Sequence, residues 1–527
     1  MTEPTLARAL IEGFQHHDIK RIFGVPGGGS ALPIIDAARD AGIDFILARS
    51  EMSASIMAAV TGEISGAPGV VLACLGPGAS SLATGTAYAS LEQAPMLVLT
   101  DGPAASLHQR YDQNALFAPI TKHQGRLSSE GAVGDIEDVL SLTKEAPQGP
   151  VQMNINAAGA ITPVSDGAGQ VARTAPVTTG SPEVVRGLLE AARRPVVLVG
   201  LEARYGDAPA AALRLAEALD CPVLSTYKGK GVVPDRHARM VGMFTGAVSE
   251  FKAIADADLF VTFGVDPVEF IASPWHHDAP IVEIRAADTP HLLSETAARI
   301  IGPLVASADA LCAGNFASDW TPDMIAALRA DLRARVEVKS NTHTAQSVAQ
   351  AIVAAAPDRI RASVDAGAHM VSAMAVLEAD HPFGALKSNG LSTMGYALPA
   401  AIASALNDPD IPAVAVTGDG GLLMCMAELS TAAAHGCKVV TVVLNDESLS
   451  LIDIKQQWQD LETAGVKFPP TDFAQVAKAM GVASWRVGPS DDLGAAMRAA
   501  FAVDGPALVD VVIDASVYSA QVAALRG

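Results

Sequence analysis

The 527-residue sequence predicts an α/β protein with three doubly wound, Rossmann-like parallel-sheet domains. Short apolar strands alternate with amphipathic helices along the chain, which is the pattern of parallel sheets covered by helices on both faces. Glycine-rich turns follow several of the strands, at the sheet edge where such folds bind ligands. The chain is also long enough for about three domains.

The first domain is predicted over residues 1–165. Its alternation is given by helices over 5–16, 31–41 and 51–64 and by strands over 21–25, 44–47, 69–75, 96–100 and 151–155. Glycine turns at 26–29 and 76–78 close two of these strands. A Pro/Gly-rich linker at 147–150 and a stretch of small residues over 157–180 indicate the boundary that follows.

The second domain is predicted over residues 181–335. A helix over 182–192 precedes a strand over 195–199, and a further strand covers 259–263. The run after the first strand, beginning at Gly200, lacks the G-x-G-x-x-G fingerprint of a dinucleotide site. The pair His276-His277 lies in a Pro/Asp-rich loop, which is more typical of a surface than of a metal site.

The third domain, predicted over residues 343–527, carries the most informative stretch. A strand over 414–417 runs into Gly418-Asp419-Gly420-Gly421, a helix follows to about His435, and a strand over 438–444 delivers Asp446. The two carboxylates should meet at one sheet edge, because both follow parallel strands. Carboxylates suit Mg²⁺, which bridges phosphates, and glycines let backbone N–H groups approach an anion.

Composition narrows the classes of function. The formal net charge of −21 argues against nucleic acid and anionic membrane surfaces as partners. The five cysteines lack C-x-x-C spacing, which indicates buried thiols in a reducing compartment. The first residues do not resemble a signal peptide, and no apolar run reaches about 18 residues. The expectation is a cytoplasmic enzyme without a membrane span.

The third-domain pattern resembles the signature of thiamine diphosphate (ThDP) enzymes of the acetolactate synthase and 2-oxo acid decarboxylase superfamily. The family usually has Asn where Asp446 stands, but Asp is familiar in the FAD-independent, catabolic acetolactate synthases. The resemblance implies ThDP and Mg²⁺ as cofactors and makes FAD unlikely. It implies Asp419, Asp446 and the Ser448 carbonyl as metal ligands. The implied cofactor-binding residues are Gly367, Ala368, His369, Gly390, Ser392, Met394, Gly418, Asp419, Gly420, Gly421, Asp446, Ser448 and Leu449.

The first domain resembles the family's pyrimidine-binding domain, and the last its diphosphate-binding domain. Glu51 stands at the start of a helix, and the resemblance implies that its carboxyl group exchanges a proton with the cofactor's aminopyrimidine. The alternative is a helix N-terminal Glu that only favours the helix dipole. Ser50 and Leu75 depart from the residues that acetolactate synthases commonly have there, which alters the pocket and leaves the cofactor chemistry in place.

Met394 falls in a run, 388–399, that resembles the acetolactate synthase segment where a bulky apolar residue bends ThDP. The loop over 107–127 resembles another acetolactate synthase segment, and a solvated loop is the alternative. The predicted substrate-pocket residues are Gly28, Leu75, His108, Gln113, Leu451 and Lys455. Leu451 and Lys455 are expected on successive turns of one helix.

Three functions stay open on these grounds. The first is a carboligase that decarboxylates a 2-oxo acid and joins the remaining fragment to a carbonyl acceptor. The second is a non-ligating 2-oxo acid decarboxylase or another C–C lyase, and the third is a non-catalytic relative. The histidines that protonate the enamine in simple decarboxylases have no obvious counterpart, which favours carboligation. The family also builds its site from two subunits, so a homodimer or homotetramer is expected.

Overall fold

The computed structural model describes residues 4–102, 108–165, 171, 178–247, 250–251, 254–270, 275, 277–289 and 296–526. They form two compact units. The first comprises the described residues of 1–175 with 402–409 and 425–437, and the second the remainder. The helices described here include none with the length and hydrophobicity needed to cross a bilayer. His276, one of the predicted surface histidines, lies outside the described residues.

The first sheet has six parallel strands in the spatial order β2-β1-β3-β4-β6-β5. The strands are β1 Arg21–Val25, β2 Asp44–Leu47, β3 Gly69–Ala73, β4 Met96–Asp101, β5 His123–Arg126 and β6 Pro150–Ile155. Its helices are Leu6–His16, Ala31–Asp40, Glu51–Ser65, Pro77–Ser81, Ala83–Leu91, Gln113–Phe117, Ala132–Lys144 and Ala157–Ala160. Every residue of the central strands β3 and β4 is buried.

The second sheet follows the spatial order β12-β11-β10-β7-β8-β9. Its strands are β7 Pro195–Val199, β8 Val223–Ser225, β9 Met240–Met243, β10 Leu259–Phe263, β11 Ile281–Arg285 and β12 Thr296–Ile301. The helices are Pro182–Ala191, Ala208–Ala218, Leu304–Leu311 and Pro322–Ala334, with 3-10 turns at Leu201–Arg204 and Pro267–Glu269. Strands β7 and β10 are buried along their full length, as expected of parallel strands covered on both faces.

The third sheet follows the order β14-β13-β15-β16-β18-β17. Its strands are β13 Arg361–Val364, β14 Ala385–Lys387, β15 Ala413–Gly418, β16 Val439–Asn445, β17 Ala483–Val487 and β18 Ala507–Val512. The helices of this part of the chain are Ala345–Ala355, Met370–Val376, Ala397–Asn407, Asp419–Cys425, Leu429–Ala434, Ser450–Trp458, Phe473–Ala479, Leu493–Phe501 and Tyr518–Arg526. Of these, Leu429–Ala434 and residues 402–407 belong to the first unit. Three parallel six-stranded sheets confirm the predicted α/β class.

Two local predictions were wrong. The helix expected from the glycine turn to His435 ends at Cys425, whose φ of −138° leaves the helical region, and a 3-10 turn, Met426–Glu428, separates it from the next helix. The loop expected over 107–127 contains the helix Gln113–Phe117, which the Asp112 side chain caps through the backbone N–H of Ala115. In both places tertiary or capping contacts decide the backbone.

Candidate active site

A cavity of about 320 Å³ lies at the carboxyl end of the third sheet, where β13, β15 and β16 end side by side. Most of the predicted cofactor-binding residues line it. They are Gly367, Ala368, His369, Ser392, Met394, Gly418, Asp419, Gly420, Gly421, Asp446, Ser448 and Leu449. Gly390 stands in the same loop as Ser392 and Met394 but does not form part of this wall.

Two carboxylates dominate the wall. Asp419 is buried, and its Oδ1 and Oδ2 accept the backbone N–H groups of Gly420 at 2.6 Å and Ser448 at 3.3 Å. Burial raises the pKa of Asp419. Burial, together with the nearby Asp419 charge, raises the pKa of Asp446 to about 7. Two carboxyl groups that are costly to ionise side by side fit a divalent cation, whose charge would offset both effects.

The loop from Asp446 to Leu449 is held in a strained shape. Glu447 has a φ of +57°, which side-chain-bearing residues rarely adopt. Two backbone hydrogen bonds connect this loop to the segment 466–468. Leu449 N donates to Val466 O at 2.8 Å, and Phe468 N donates to Glu447 O at 2.8 Å. The Ser448 backbone is therefore fixed beside Asp419. Together with the two aspartates it offers the oxygen donors that Mg²⁺ prefers.

Among the described residues, no three His, Cys, Asp or Glu side chains gather into a metal-ligand group. The proposed set contains only two such side chains, Asp419 and Asp446, with a backbone carbonyl as the third oxygen. Mg²⁺ usually binds through one or two carboxylates and takes its other ligands from phosphates and water. The donor set of this cavity therefore fits a magnesium ion that is shared with a phosphorylated cofactor.

Asp365 holds the Met394 loop against this edge, and sequence reasoning did not single it out as a site residue. Its buried carboxylate accepts the backbone N–H groups of Gly395, Tyr396 and Ala397 at 3.1, 2.8 and 2.7 Å. It also accepts the Thr417 hydroxyl at 2.6 Å. One carboxylate thus fixes two walls of the cavity. Its position directly after β13 was the only signal in the sequence.

His369 lines the cavity and carries a buried ring nitrogen. In the part of the chain that the structure describes, its buried Nε2 atom has no hydrogen-bond partner. Burial, with the Lys387 charge as a smaller cause, lowers the pKa of His369 to about 4, so the ring is neutral at pH 7. A methyl group at Gly367 would stand 2.6 Å from the ring, which is why glycine is needed there. An orphaned buried nitrogen on a residue that lines a cavity fits a bound polar ligand.

Part of the cavity wall is apolar. Met394 lines it, and so do Leu451 and Ile452 of the helix Ser450–Trp458. Lys455, one turn beyond Leu451, contributes a half-buried side chain. Met394 and this helix therefore lie on the wall of the cavity that Asp419 and Asp446 also line.

Glu51 belongs to the first unit, at the carboxyl end of β2. It is the first residue of the helix Glu51–Ser65, and the Ser50 hydroxyl caps that helix through Ser53 N at 3.2 Å. A methyl group at Gly78 would stand 3.3 Å from Glu51 Oε1, so the carboxyl group faces the Gly76–Gly78 turn. Strands β2, β1 and β3 are adjacent and parallel, which brings Gly28, Glu51 and Leu75 to one sheet edge.

Glu428 positions this edge and was missed by sequence reasoning. Its buried Oε1 accepts the backbone N–H groups of Arg49 at 2.9 Å and Ser50 at 3.1 Å, directly before Glu51. Its Oε2 accepts the Thr431 hydroxyl at 2.6 Å. The broken helix at Cys425 is what brings Glu428 to this place. No sequence signal linked two segments so far apart along the chain.

The remaining predicted pocket residues differ in exposure. Gly28 is exposed, and a methyl group added there would have no described atom within 4 Å. Leu75 is partly buried and His108 is exposed. Gln113 is buried, and its amide nitrogen donates to Thr100 Oγ1, Asp101 O and Asn154 Oδ1 at 3.2, 3.0 and 2.8 Å. These bonds give Gln113 a positioning role at the sheet edge.

The fold and the two sheet edges define a multidomain α/β protein with a cavity for a phosphorylated cofactor. Three family models match the chain in order: "Thiamine pyrophosphate enzyme, N-terminal TPP binding domain" over residues 4–122, the central domain over 183–309, and "C-terminal TPP binding domain" over 365–511. The chain belongs to the thiamine pyrophosphate enzyme family and carries its N-terminal, central and C-terminal domains. Thiamine pyrophosphate is the same compound as ThDP.

Curated relatives are similar along almost the whole chain. An acetolactate synthase of Bacillus subtilis is 27% identical, with 97% of this chain and 93% of the relative covered. A catabolic acetolactate synthase of Raoultella terrigena is 27% identical, with 96% and 95% covered. A "Probable 2-ketoarginine decarboxylase" of Pseudomonas aeruginosa is 29% identical, with 96% and 94% covered.

Proposed function

We propose that this chain is a ThDP- and Mg²⁺-dependent enzyme that decarboxylates a 2-oxo acid and ligates the remaining fragment to a carbonyl acceptor. The observation that carries the proposal is the pair of Asp419, which is buried, and Asp446, which is partly buried, in a cavity that is also lined by His369 with its unpartnered nitrogen. The names of the relatives support the reaction class, because acetolactate synthases and a 2-oxo acid decarboxylase are among them.

The residues present fit the cofactor. Asp419, Asp446 and the Ser448 carbonyl would hold Mg²⁺, and the glycine turn at 418–421 and His369 would surround the diphosphate. ThDP bound there would supply a carbon nucleophile and an electron sink for the pair that is released when the 2-oxo acid loses CO₂. Glu51 would exchange a proton with the N1′ atom of the cofactor's pyrimidine ring, and Met394 and Leu451 would exclude water from the reacting carbon.

A non-ligating decarboxylase is the second candidate function. The observation that favours it is the 29% identical relative whose printed name is that of a 2-ketoarginine decarboxylase. Such an enzyme needs a proton donor near the reacting carbon. His108 is the histidine among the predicted pocket residues of the first unit, and it is exposed at a turn. The two functions differ in whether the fragment receives a proton or a second carbonyl compound.

FAD is not part of the proposal. The turn after β7, where a dinucleotide phosphate would be expected, is occupied by the side chain of Glu269. The backbone N–H of Leu201 donates to Glu269 Oε2 at 3.0 Å, and a methyl group at Gly200 would stand 2.5 Å from the same oxygen. In dinucleotide-binding folds the first such turn binds phosphate. Here a buried carboxylate takes that place, and burial raises the pKa of Glu269 to about 8.

The proposed assembly is a homodimer or homotetramer with the active site at the subunit interface. In this proposal Glu51 of one chain serves the cofactor held by Asp419 of another. The basis is the family resemblance noted from the sequence.

Proton NMR of product mixtures tests the reaction. The purified full chain, loaded with ThDP and Mg²⁺, is mixed with pyruvate and with a panel of longer 2-oxo acids. Acetolactate, acetoin or a homologous product supports ligation. Free aldehyde as the only product would favour the second candidate. Binding of ThDP without consumption of any 2-oxo acid would contradict the proposed function while leaving the family assignment in place.

A further inference from the structure

Lys455, one of the predicted substrate-pocket residues, lies on the cavity wall, and the chemical group that it binds has not yet been named. Ser450, Leu451, Ile452 and Lys455 line the cavity from one helix, Ser450–Trp458. Leu451 and Lys455 are four residues apart, which places them on one face with about 6 Å of rise between them. The wall therefore changes from apolar near the aspartates to cationic one turn further along the helix.

Neighbouring lysines are engaged, and Lys455 is not. Lys387 is buried, donates to Ser388 O at 3.0 Å and lies 5.1 Å from the centre of the Tyr227 ring. Lys467 pairs with Asp453 at 2.7 Å and donates to Ser448 Oγ at 3.0 Å. Within the described part of the chain, Lys455 forms neither an ion pair nor a hydrogen bond.

The other charges of the cavity have assigned partners. Asp419 and Asp446 would be matched by Mg²⁺, and the diphosphate would be matched by the same ion and by backbone groups. The half-buried Lys455 therefore remains as a positive charge on the cavity wall, in a chain of net charge −21, and a ligand could neutralise it. An anion there gains a charge-assisted hydrogen bond in a partly dehydrated place.

We infer that Lys455 is a specificity-determining residue that binds a carboxylate or sulfonate which the substrate keeps in the product. The inference rests on the proposed function and names its substrate class. The group to be recognised is separate from the carboxylate that leaves as CO₂. It has two possible sources: the far end of an acidic donor, or the carboxylate of a second 2-oxo acid that acts as acceptor. In either case a short carbon segment lies along Leu451 and Ile452.

Matched substrates test both sources on the full chain loaded with ThDP and Mg²⁺. The donor arm compares 2-oxoglutarate with 2-oxopentanoate, which differ only in a terminal carboxylate or methyl group. The acceptor arm compares pyruvate with acetaldehyde. We expect the wild-type kcat/KM to favour the anionic member in at least one arm. Lys455→Gln should lower that preference about ten- to a hundred-fold, and Lys455→Glu should reverse it.

Two controls separate recognition from other effects. Lys478→Gln removes an exposed lysine of the helix Phe473–Ala479 and should leave both preferences as in the wild type. The Kd for ThDP should change less than about three-fold in Lys455→Gln, well under the ten-fold or larger loss of substrate preference. A ten-fold weaker Kd for ThDP would overturn the inference, because it would assign the lysine to the cofactor.

Binding of unreactive analogues decides the inference even if turnover fails. Glutarate and pentanoate are titrated calorimetrically into the ThDP-loaded protein and into Lys455→Gln. Tighter binding of glutarate that disappears in the variant supports the lysine's role, whether or not any 2-oxo acid is consumed. If no 2-oxo acid is consumed, equal binding of the two analogues by the wild type would overturn the inference. If turnover is observed, equal binding together with equal kcat/KM in both arms would overturn it while leaving the proposed reaction intact.

Discussion

The Glu428 carboxylate accepts the backbone N–H of Ser50 at 3.1 Å, and this bond fixes the turn from which Glu51 projects. The same oxygen accepts Arg49 N at 2.9 Å, so both peptide groups before Glu51 are tied to one buried side chain. The first turn of the helix Glu51–Ser65 is therefore set by a residue from a distant segment. Glu428 acts on the chemistry through Glu51 and is a positioning residue.

Replacement of Glu428 tests this relationship. Glu428→Ala should lower kcat roughly ten- to a hundred-fold, since a small displacement of a reacting group costs that much. It should also lower the free energy of unfolding by about 1–3 kcal/mol, because two partly buried N–H groups lose their acceptor. Glu428→Gln keeps an oxygen for both N–H groups and should recover most of the kcat. Equal kcat in all three proteins would remove Glu428 from a positioning role.

Glu51→Gln should separate binding from turnover. The variant keeps the size and polarity of the side chain but cannot exchange a proton, so kcat should fall about a hundred-fold to ten-thousand-fold. The Kd for ThDP, measured by equilibrium titration, should stay close to the wild-type value. Glu12→Gln, an exposed substitution on the helix Leu6–His16, is the matched control. Wild-type kcat in Glu51→Gln would exclude the proton-exchange role.

Removal of a metal ligand should affect cofactor binding directly. Asp419→Ala should weaken ThDP binding in the presence of Mg²⁺ at least about a hundred-fold. Mutation of a residue that only hydrogen-bonds to a metal ligand already lowers metal affinity about ten- to a hundred-fold, and loss of a ligand itself should lower it further. Asp446→Asn introduces the residue that the wider family usually carries and should retain binding within about ten-fold. Calorimetric titration of ThDP with and without Mg²⁺ measures both. Intact binding by Asp419→Ala would place the metal elsewhere.

The burial of His369 predicts how the cofactor-free protein responds to acid. Its folded-state pKa of about 4 lies below the ordinary value of 6.5. Between these two pH values His369 is therefore protonated in the unfolded chain and neutral in the folded chain. Stability should therefore fall as the pH drops from about 6.5 towards 4, by roughly 2 kcal/mol between pH 7 and pH 5. His369→Gln should remove this loss in urea unfolding, whereas His16→Gln, at an exposed position, should keep it.

Sequence reasoning succeeded where the signal is local. The strands β7 and β10 have the predicted bounds because continuous apolar, β-branched runs between turns have few alternatives. The residues Asp419 and Asp446 were predicted to share an edge because parallel strands put their carboxyl ends on one side, and they line one cavity. These inferences need only the period of the pattern and the rules of parallel sheets.

The parts that sequence reasoning missed depend on contacts between distant segments. In the sequence, Glu428 fits the pattern of an ordinary residue of an amphipathic helix. In the structure the helix ends at Cys425, and Glu428 accepts a hydrogen bond from Ser50 N. Asp365 directly follows β13, but its partners are backbone groups near residue 396, which no local pattern reveals. Gln113 was expected in a loop, and only the structure shows that its side-chain amide donates hydrogen bonds to Thr100 and Asp101.

Mixing two inactive variants tests the proposed shared site. If each site takes Glu51 from one chain and Asp419 from another, a mixed dimer of Glu51→Gln and Asp419→Ala chains contains one site with both residues intact. Random reassortment makes half of the dimers mixed, so the mixture should regain about a quarter of the wild-type activity, while each variant alone stays inactive. The chains are mixed under mild denaturation, refolded with ThDP and Mg²⁺, and assayed with a sedimentation profile of the same sample. A sample that contains mixed dimers but no activity would show that both residues must come from one chain.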